Sequence, residues 1–126
     1  MKIRCGTDII EVKRIEDAIE SLGDKFIKKV FTNAEIEYCN SKNKMKYQHF
    51  AARFTAKESI FKAISDNLKN KYELTWTDVE IINDENSRPK VNFLNYLGKQ
   101  TIEDIDISLS HINDYAISNC VVVFKE

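Results

Sequence analysis

The stretch QHFAARFTAKESIFKAISDN, residues 48–67, carries the strongest periodic signal in this 126-residue chain. Phe50, Phe54, Phe61, Ile64 and Leu68 recur at helical spacing on one stripe, with no proline or glycine to interrupt them, and this predicts one long central helix. Upstream of it, residues 2–10 read as a short strand that ends near Gly6-Thr7-Asp8. Ile9, Val12, Ile15 and Ile19 then recur at helical spacing, so a strand runs into an amphipathic helix. Residues 24–31 (DKFIKKVF) continue helical. Thr32 and Glu35 in TNAE form a capping box ahead of a further short helix with Ile36 and Tyr38, and SKNKMK (41–46) reads as a loop.

Downstream the chain turns to β. LTWTDVEII (74–82), KVNFL (90–94, after the turn signal NDENSRP), IDISLS (105–110) and YAISNCVVVF (115–124) read as strands, with alternation at Ile105, Ile107 and Leu109. The last two are expected to pair as a hairpin through His111-Ile112-Asn113-Asp114. Early helices and late antiparallel strands, with one strand at the start, predict an α+β fold. An antiparallel sheet packs against the long central helix and the shorter N-terminal helices, all in one domain spanning 1–126.

Composition excludes several classes. A formal net charge of −1 gives no global basicity for a nucleic acid or a membrane surface, so a charged partner must be steered by a local patch. Three cysteines, Cys5, Cys39 and Cys120, are odd in number and contain no C-x-x-C pair, which fits reduced, mostly buried thiols rather than a disulfide framework or a zinc site. No apolar run is long enough for a signal h-region or a bilayer span, so the expected address is the cytoplasm.

Four positions carry candidate chemistry. Asp8, at the end of a strand, reads either as a helix N-cap or as an oxygen ligand for magnesium. A projection at 100° per residue puts Glu58 roughly 80° from Phe50, at the border of the apolar stripe. There it can reach a cleft, or pair with Lys62 one turn on. The same projection puts Lys57 roughly 20° from Phe50, inside the stripe, where its ammonium must snorkel out or meet an anion. Ser108-Leu109-Ser110-His111 places a histidine beside hydroxyls at a strand end, either an exposed loop residue or a phosphate contact.

Taken together, these elements resemble a known family. GTDIIEVKRIE (6–16) resembles the G-x-D-hydrophobic-x-x-hydrophobic-x-R-I start of the holo-acyl-carrier-protein synthases, FAARFTAKESIFKA (50–63) their R-F-x-x-K-E-x-x-x-K-A segment, and SLSHINDYAIS (108–118) their S-x-S-H-x-x-x-Y-A close. VFTNAE (30–35) matches a further family segment, so the resemblance covers essentially the whole chain.

The resemblance implies a magnesium-dependent enzyme that moves the 4′-phosphopantetheine group of coenzyme A onto a serine of apo-acyl carrier protein, in support of fatty acid biosynthesis. Asp8 and Glu58 would be the metal ligands, Lys57 and Lys62 would lie at the phosphates, and Asp8, Glu58 and Lys62 would form the catalytic set. His111 would contact the 3′-phosphate of coenzyme A, and Arg53 would line the nucleotide site. Members of this short type are homotrimers with active sites between subunits, Asp8 and Glu58 from one chain facing His111 of its neighbour.

The positive surface formed by Lys13, Arg14, Lys25, Lys28 and Lys29 suits an acidic carrier protein, and Arg14 is the member that matches the family motif. One segment departs from the pattern: where the family has a glycine-rich turn, this chain reads Ile64-Ser65-Asp66-Asn67-Leu68, and Asp66 would repel phosphate. The rival readings are another two-carboxylate phosphotransferase or nuclease, which the net charge does not favour, and an inactive trimeric module, which would have lost one of Asp8, Glu58 or Lys62.

Overall fold

In the computed structural model, which describes residues 1–69 and 73–126, strand β1 (Lys2–Glu11) leads directly into helix α1 (Val12–Leu22). The strand is longer than its sequence suggests. Ile9 and Ile10 pair with Ile117 and Ala116 of β5 (Tyr115–Phe124), so Ile9 belongs to the strand and is exposed rather than being the first apolar position of the helix. Helix α2 (Asp24–Val30) follows across Gly23, whose φ of 58° is one that glycine adopts at little steric cost. Helix α3 (Asn33–Asn40) then opens on the capping box: Glu35 N donates to Thr32 Oγ1, and Thr32 N donates to the Glu35 carboxylate.

Helix α4 (Lys46–Ile64) has 19 residues and is the centre of the molecule. It is buried on more than the one stripe expected, because Ala51, Ala52, Ala56, Ser59 and Ala63 are buried beside Phe50, Ile60 and Ile64. Small side chains let strands approach on one side while the aromatics meet α2 and α3 on the other. A single turn of 3₁₀ helix (Ser65–Asn67) ends it.

The β half divides into two sheets rather than one. β2 (Val79–Asn83) and β3 (Pro89–Phe93) form an antiparallel pair of their own. Residues Trp76–Asp78, read above as strand, form a 3₁₀ turn capped by Thr75 and Asp78. The main sheet has the order β1-β5-β4, where β4 (Ile102–His111) and β5 form the expected hairpin. Each large apolar side chain fully buried contributes about 1.5–3 kcal/mol. These side chains fall into two clusters, one around Ile60, Ile64, Val79, Ile81, Ile107 and Val122, the other around Val12, Ile15, Val30, Phe31 and Phe50.

The sheet face turned away from α4 stays open, with Ile3, Ile9, Ile117 and Val121 exposed on it. Cys39 and Cys120 are buried free thiols, as the sequence suggests, but Cys5 is exposed. Among the described residues, no helix is long and apolar enough to cross a membrane.

Candidate active site

Gly6 explains how the carboxylates meet. A Cβ at this position would lie 2.1 Å from the Ser59 carbonyl oxygen and 2.9 Å from Ala63 N, so only glycine lets β1 lie backbone to backbone against α4. Asp8, two residues on and on the same side of the strand, is thereby held against the helix. Its Oδ2 accepts a 2.7 Å hydrogen bond from Thr55 Oγ1, and its Oδ1 accepts one of 3.1 Å from Lys62 Nζ. Thr55 is itself tied to β5, since Ser118 Oγ donates to the Thr55 carbonyl at 2.6 Å. The N-cap reading of Asp8 does not hold, because the residue before α1 is Glu11.

Glu58 stands near Asp8 on α4. Burial pushes its carboxyl above the ordinary carboxylate range, the Asp8 charge adds to this, and Lys62 opposes both. The simple i,i+4 pair is not formed: Lys62 Nζ donates to Asp8 and, at 3.0 Å, to the Thr7 carbonyl, and no ion pair within 4 Å joins it to Glu58 among the described residues. Thr7, Asp8, Ile9, Lys62 and Ile117 line a cavity of about 430 Å³. A larger cavity of about 720 Å³, with Lys28, Lys29, Phe61 and Trp76 in its wall, has no acidic residue among the described residues that line it.

Two close carboxylates and an ammonium suit a hard divalent cation bound together with phosphate. Among the described residues there is no cluster of three or more His, Cys, Asp and Glu. Magnesium asks for no more than one or two carboxylates, with substrate phosphates and water completing its shell. The donor set therefore fits magnesium and not an all-protein cage.

The remaining predicted residues lie elsewhere. Lys57 is 0% exposed, and its Nζ donates to Val30 O (2.7 Å), Glu35 Oε1 (2.8 Å) and Trp76 O (2.9 Å). All three protons are used within the protein, so Lys57 has none left for phosphate, and that expectation is corrected. Burial lowers the tendency of Lys57 to stay charged, and the Glu35 carboxylate opposes it.

Arg53 is 3% exposed, its guanidinium lies 4.0 Å from the centroid of the Tyr38 ring, and its Nε has no hydrogen-bond partner. His111, at the end of β4, lies edge-on to His49 with ring centroids 5.0 Å apart. Arg14 is exposed on α1, where Lys13 already pairs with Glu16 and Asp17. Asp66, feared as a repulsive charge, is paired with Arg4 at 2.8 Å, and this contact holds its carboxyl below the ordinary range.

Sequence reasoning passed over Thr55, Ser118 and Gln48, and gave Glu35 only its capping role and not its pairing with Lys57. The available signal was polarity at positions facing the core: hydroxyls at Thr55 and Ser118, an amide at Gln48 and an acid at Glu35 are all buried and all need partners.

The fold and this paired-carboxylate site define a class. Residues 4–120 match the family described as the 4′-phosphopantetheinyl transferase superfamily, and the chain belongs to it. The chain is 40% identical over 126 residues to a holo-[acyl-carrier-protein] synthase of Finegoldia magna, with both chains covered in full. It is 41% identical over 130 residues to the enzyme of that name from a Thermoanaerobacter species, covering 100% of this chain and 91% of the relative. Among solved structures, the Helicobacter pylori holo-[acyl-carrier-protein] synthase in complex with coenzyme A superposes with a TM-score of 0.81 at 26% identity, covering 94% of this chain and 99% of that one.

Proposed function

We propose that Asp8, Glu58 and Lys62 carry the reaction of this enzyme, which transfers the 4′-phosphopantetheine group of coenzyme A to a serine of apo-acyl carrier protein. The products are holo-acyl carrier protein and adenosine 3′,5′-bisphosphate. The observation that carries the site assignment is that Asp8, from β1, and Lys62, from α4, are joined at one open cavity, with the Glu58 carboxyl of α4 close enough to feel the charges of both. Asp8 and Glu58 are the groups that would hold magnesium. Magnesium held there would supply neutralisation of charge on the pyrophosphate during attack by the carrier serine.

The chain's own part is positional. Thr55 and Lys62 each occupy one Asp8 oxygen and fix the plane of that carboxylate. Lys62 spends two of its three protons on Thr7 O and Asp8 and keeps one for a phosphate oxygen. Arg53 suits a nucleotide phosphate, because a buried guanidinium with an unpartnered Nε gains from an anion. Arg14 and the neighbouring lysines would receive the acidic carrier protein.

Assembly as a homotrimer with shared sites fits the sheet order. Asp8 lies on one edge strand and His111 on the other, separated by two strand spacings, roughly 9–10 Å, and two residues of register. A second chain packed on the open apolar face would cover Ile3, Ile9, Ile117 and Val121, and the shared-site reading pairs its His111 with this chain's Asp8. The test is incubation with apo-acyl carrier protein, coenzyme A and magnesium, read by mass spectrometry. The carrier should gain one phosphopantetheine mass, Asp8→Ala and Glu58→Ala should abolish the gain while circular dichroism stays native, and wild-type-like transfer by either variant would refute the ligand assignment.

A further inference from the structure

Gln48, in the first turn of α4 and 9% exposed, uses both ends of its amide. Its Nε2 donates to Asn113 Oδ1 at 3.0 Å, in the turn between β4 and β5, and lies 3.5 Å from Met45 Sδ. Its Oε1 lies 2.7 Å from His111 Nδ1. An amide oxygen can only accept, so the proton in that contact belongs to Nδ1. A neutral imidazole carries a single N–H, and with Nδ1 holding it the outer Nε2 presents a lone pair. A phosphate oxygen also presents lone pairs, so the neutral ring and the anion have no hydrogen bond to make. Protonation at Nε2 turns that nitrogen into a charge-assisted donor.

From this geometry we infer that Gln48 is a positioning residue that holds His111 in the Nδ1–H tautomer, so that His111 binds an anionic phosphate only as its imidazolium. The inference rests on the reading of His111 as a contact to the 3′-phosphate of coenzyme A. It ties coenzyme binding to proton uptake at one ring.

Gln48 and His49 contact His111 from α4, Ala116 of β5 is its register partner, and Ile9, Ser110, Ile112, Tyr115 and Ile117 line one cavity with it. Asp114 is the one carboxylate of the adjoining turn. His49 does not compete for the proton. Burial, and then the charges of His111, Arg53 and Lys42, hold it down to about 4, so at neutral pH it stays an uncharged ring against which His111 is stacked edge-on.

The chain has two histidines, so imidazole ¹⁵N NMR of labelled protein resolves each ring, with a His49→Phe variant for assignment. Neutral His111 should show Nδ1–H in the wild type and shift toward Nε2–H in Gln48→Met, which keeps the volume and removes the acceptor. In Gln48→Glu the acceptor remains, so the Nδ1–H tautomer should be kept.

Kinetics supply the second arm. The KM for coenzyme A should rise with pH, by up to about tenfold per pH unit. That rise should flatten in Gln48→Met, move to higher pH in Gln48→Glu, and be absent in the wild type with coenzyme A lacking its 3′-phosphate. Nε2–H in the wild type, or a tautomer that ignores Gln48→Met, would overturn the inference and leave the transferase reading intact. Should Gln48→Met fail to fold, the wild-type tautomer and the Gln48→Glu profile decide the matter by themselves. The expected tautomers with a KM equally indifferent to pH for both coenzymes would overturn the proton linkage and the assignment of His111 to the phosphate together.

Discussion

Asp8 has both carboxylate oxygens engaged by its own chain, Oδ2 by the Thr55 hydroxyl and Oδ1 by the Lys62 ammonium. The two contacts differ in kind. Lys62 is half exposed and free to move onto substrate, whereas Thr55 is 0% exposed and is clamped to Ser118, so Thr55 is the part that keeps Asp8 aimed throughout turnover. Partners of metal-ligating carboxylates typically matter 10–100-fold to metal affinity or activity. Thr55→Val, which removes the hydroxyl at nearly constant shape, should raise the magnesium concentration needed for half-maximal transfer by roughly that factor. An unchanged magnesium activation curve would mean that Lys62 alone orients Asp8. Thr55 was hard to single out beforehand, because a threonine within a helix also reads as a merely tolerated residue.

Helix α4 holds these groups because other elements hold it, and Lys57 is the main fastening. Its ammonium joins the end of α2 through Val30 O, α3 through Glu35 and the Trp76 turn, while Glu35 Oε2 accepts from Ile81 N of β2. Removing one member of such a buried pair leaves the other charge uncompensated, at a cost of about 3–5 kcal/mol. Lys57→Met should therefore lower the unfolding free energy by about that amount in chemical denaturation. A phosphate ligand would behave in the opposite way, with stability kept and coenzyme affinity lost.

Helix α1 gives a second test at this scale. Arg14 is exposed and on a different element from the residues proposed to bind coenzyme A. Arg14→Glu should raise the KM for the carrier protein well above that for coenzyme A, and the defect should shrink as salt shortens the Debye length toward about 3 Å at 1 M. A defect indifferent to salt would return the basic helix to an ordinary solvated face.

At the scale of the molecule, the open face of the main sheet has no partner among the described residues. Ile3, Ile9, Ile117 and Val121 are 54%, 61%, 40% and 46% exposed, a concentration of apolar surface that marks an association site. The proposed trimer would cover this face and combine Asp8 and His111 from different chains. Sedimentation should accordingly give the mass of three chains. Mixing Asp8→Ala chains with His111→Ala chains should restore transfer, since some interfaces would then carry an intact Asp8 and an intact His111. No rescue after verified subunit exchange would confine each site to one chain.

The sequence by itself determined the order and type of nearly every element, because the signals involved are local. The α4 periodicity, the Thr32–Glu35 box and the strand alternation around Ile107 each act within a few residues of chain. It also marked Asp8, Glu58, Lys62 and His111 as the residues worth following. The tertiary structure alone decided what those residues do to one another. Thr55 and Lys62 reach Asp8 across 47 and 54 residues of chain. Lys57, one residue and so about 100° round the helix from Glu58, points inward to fasten α2 and α3. Spacing cannot encode such outcomes, since they depend on how α4 is rotated over the sheet and on the order β1-β5-β4, which pairs the first strand with the last and leaves Asp8 and His111 at opposite edges.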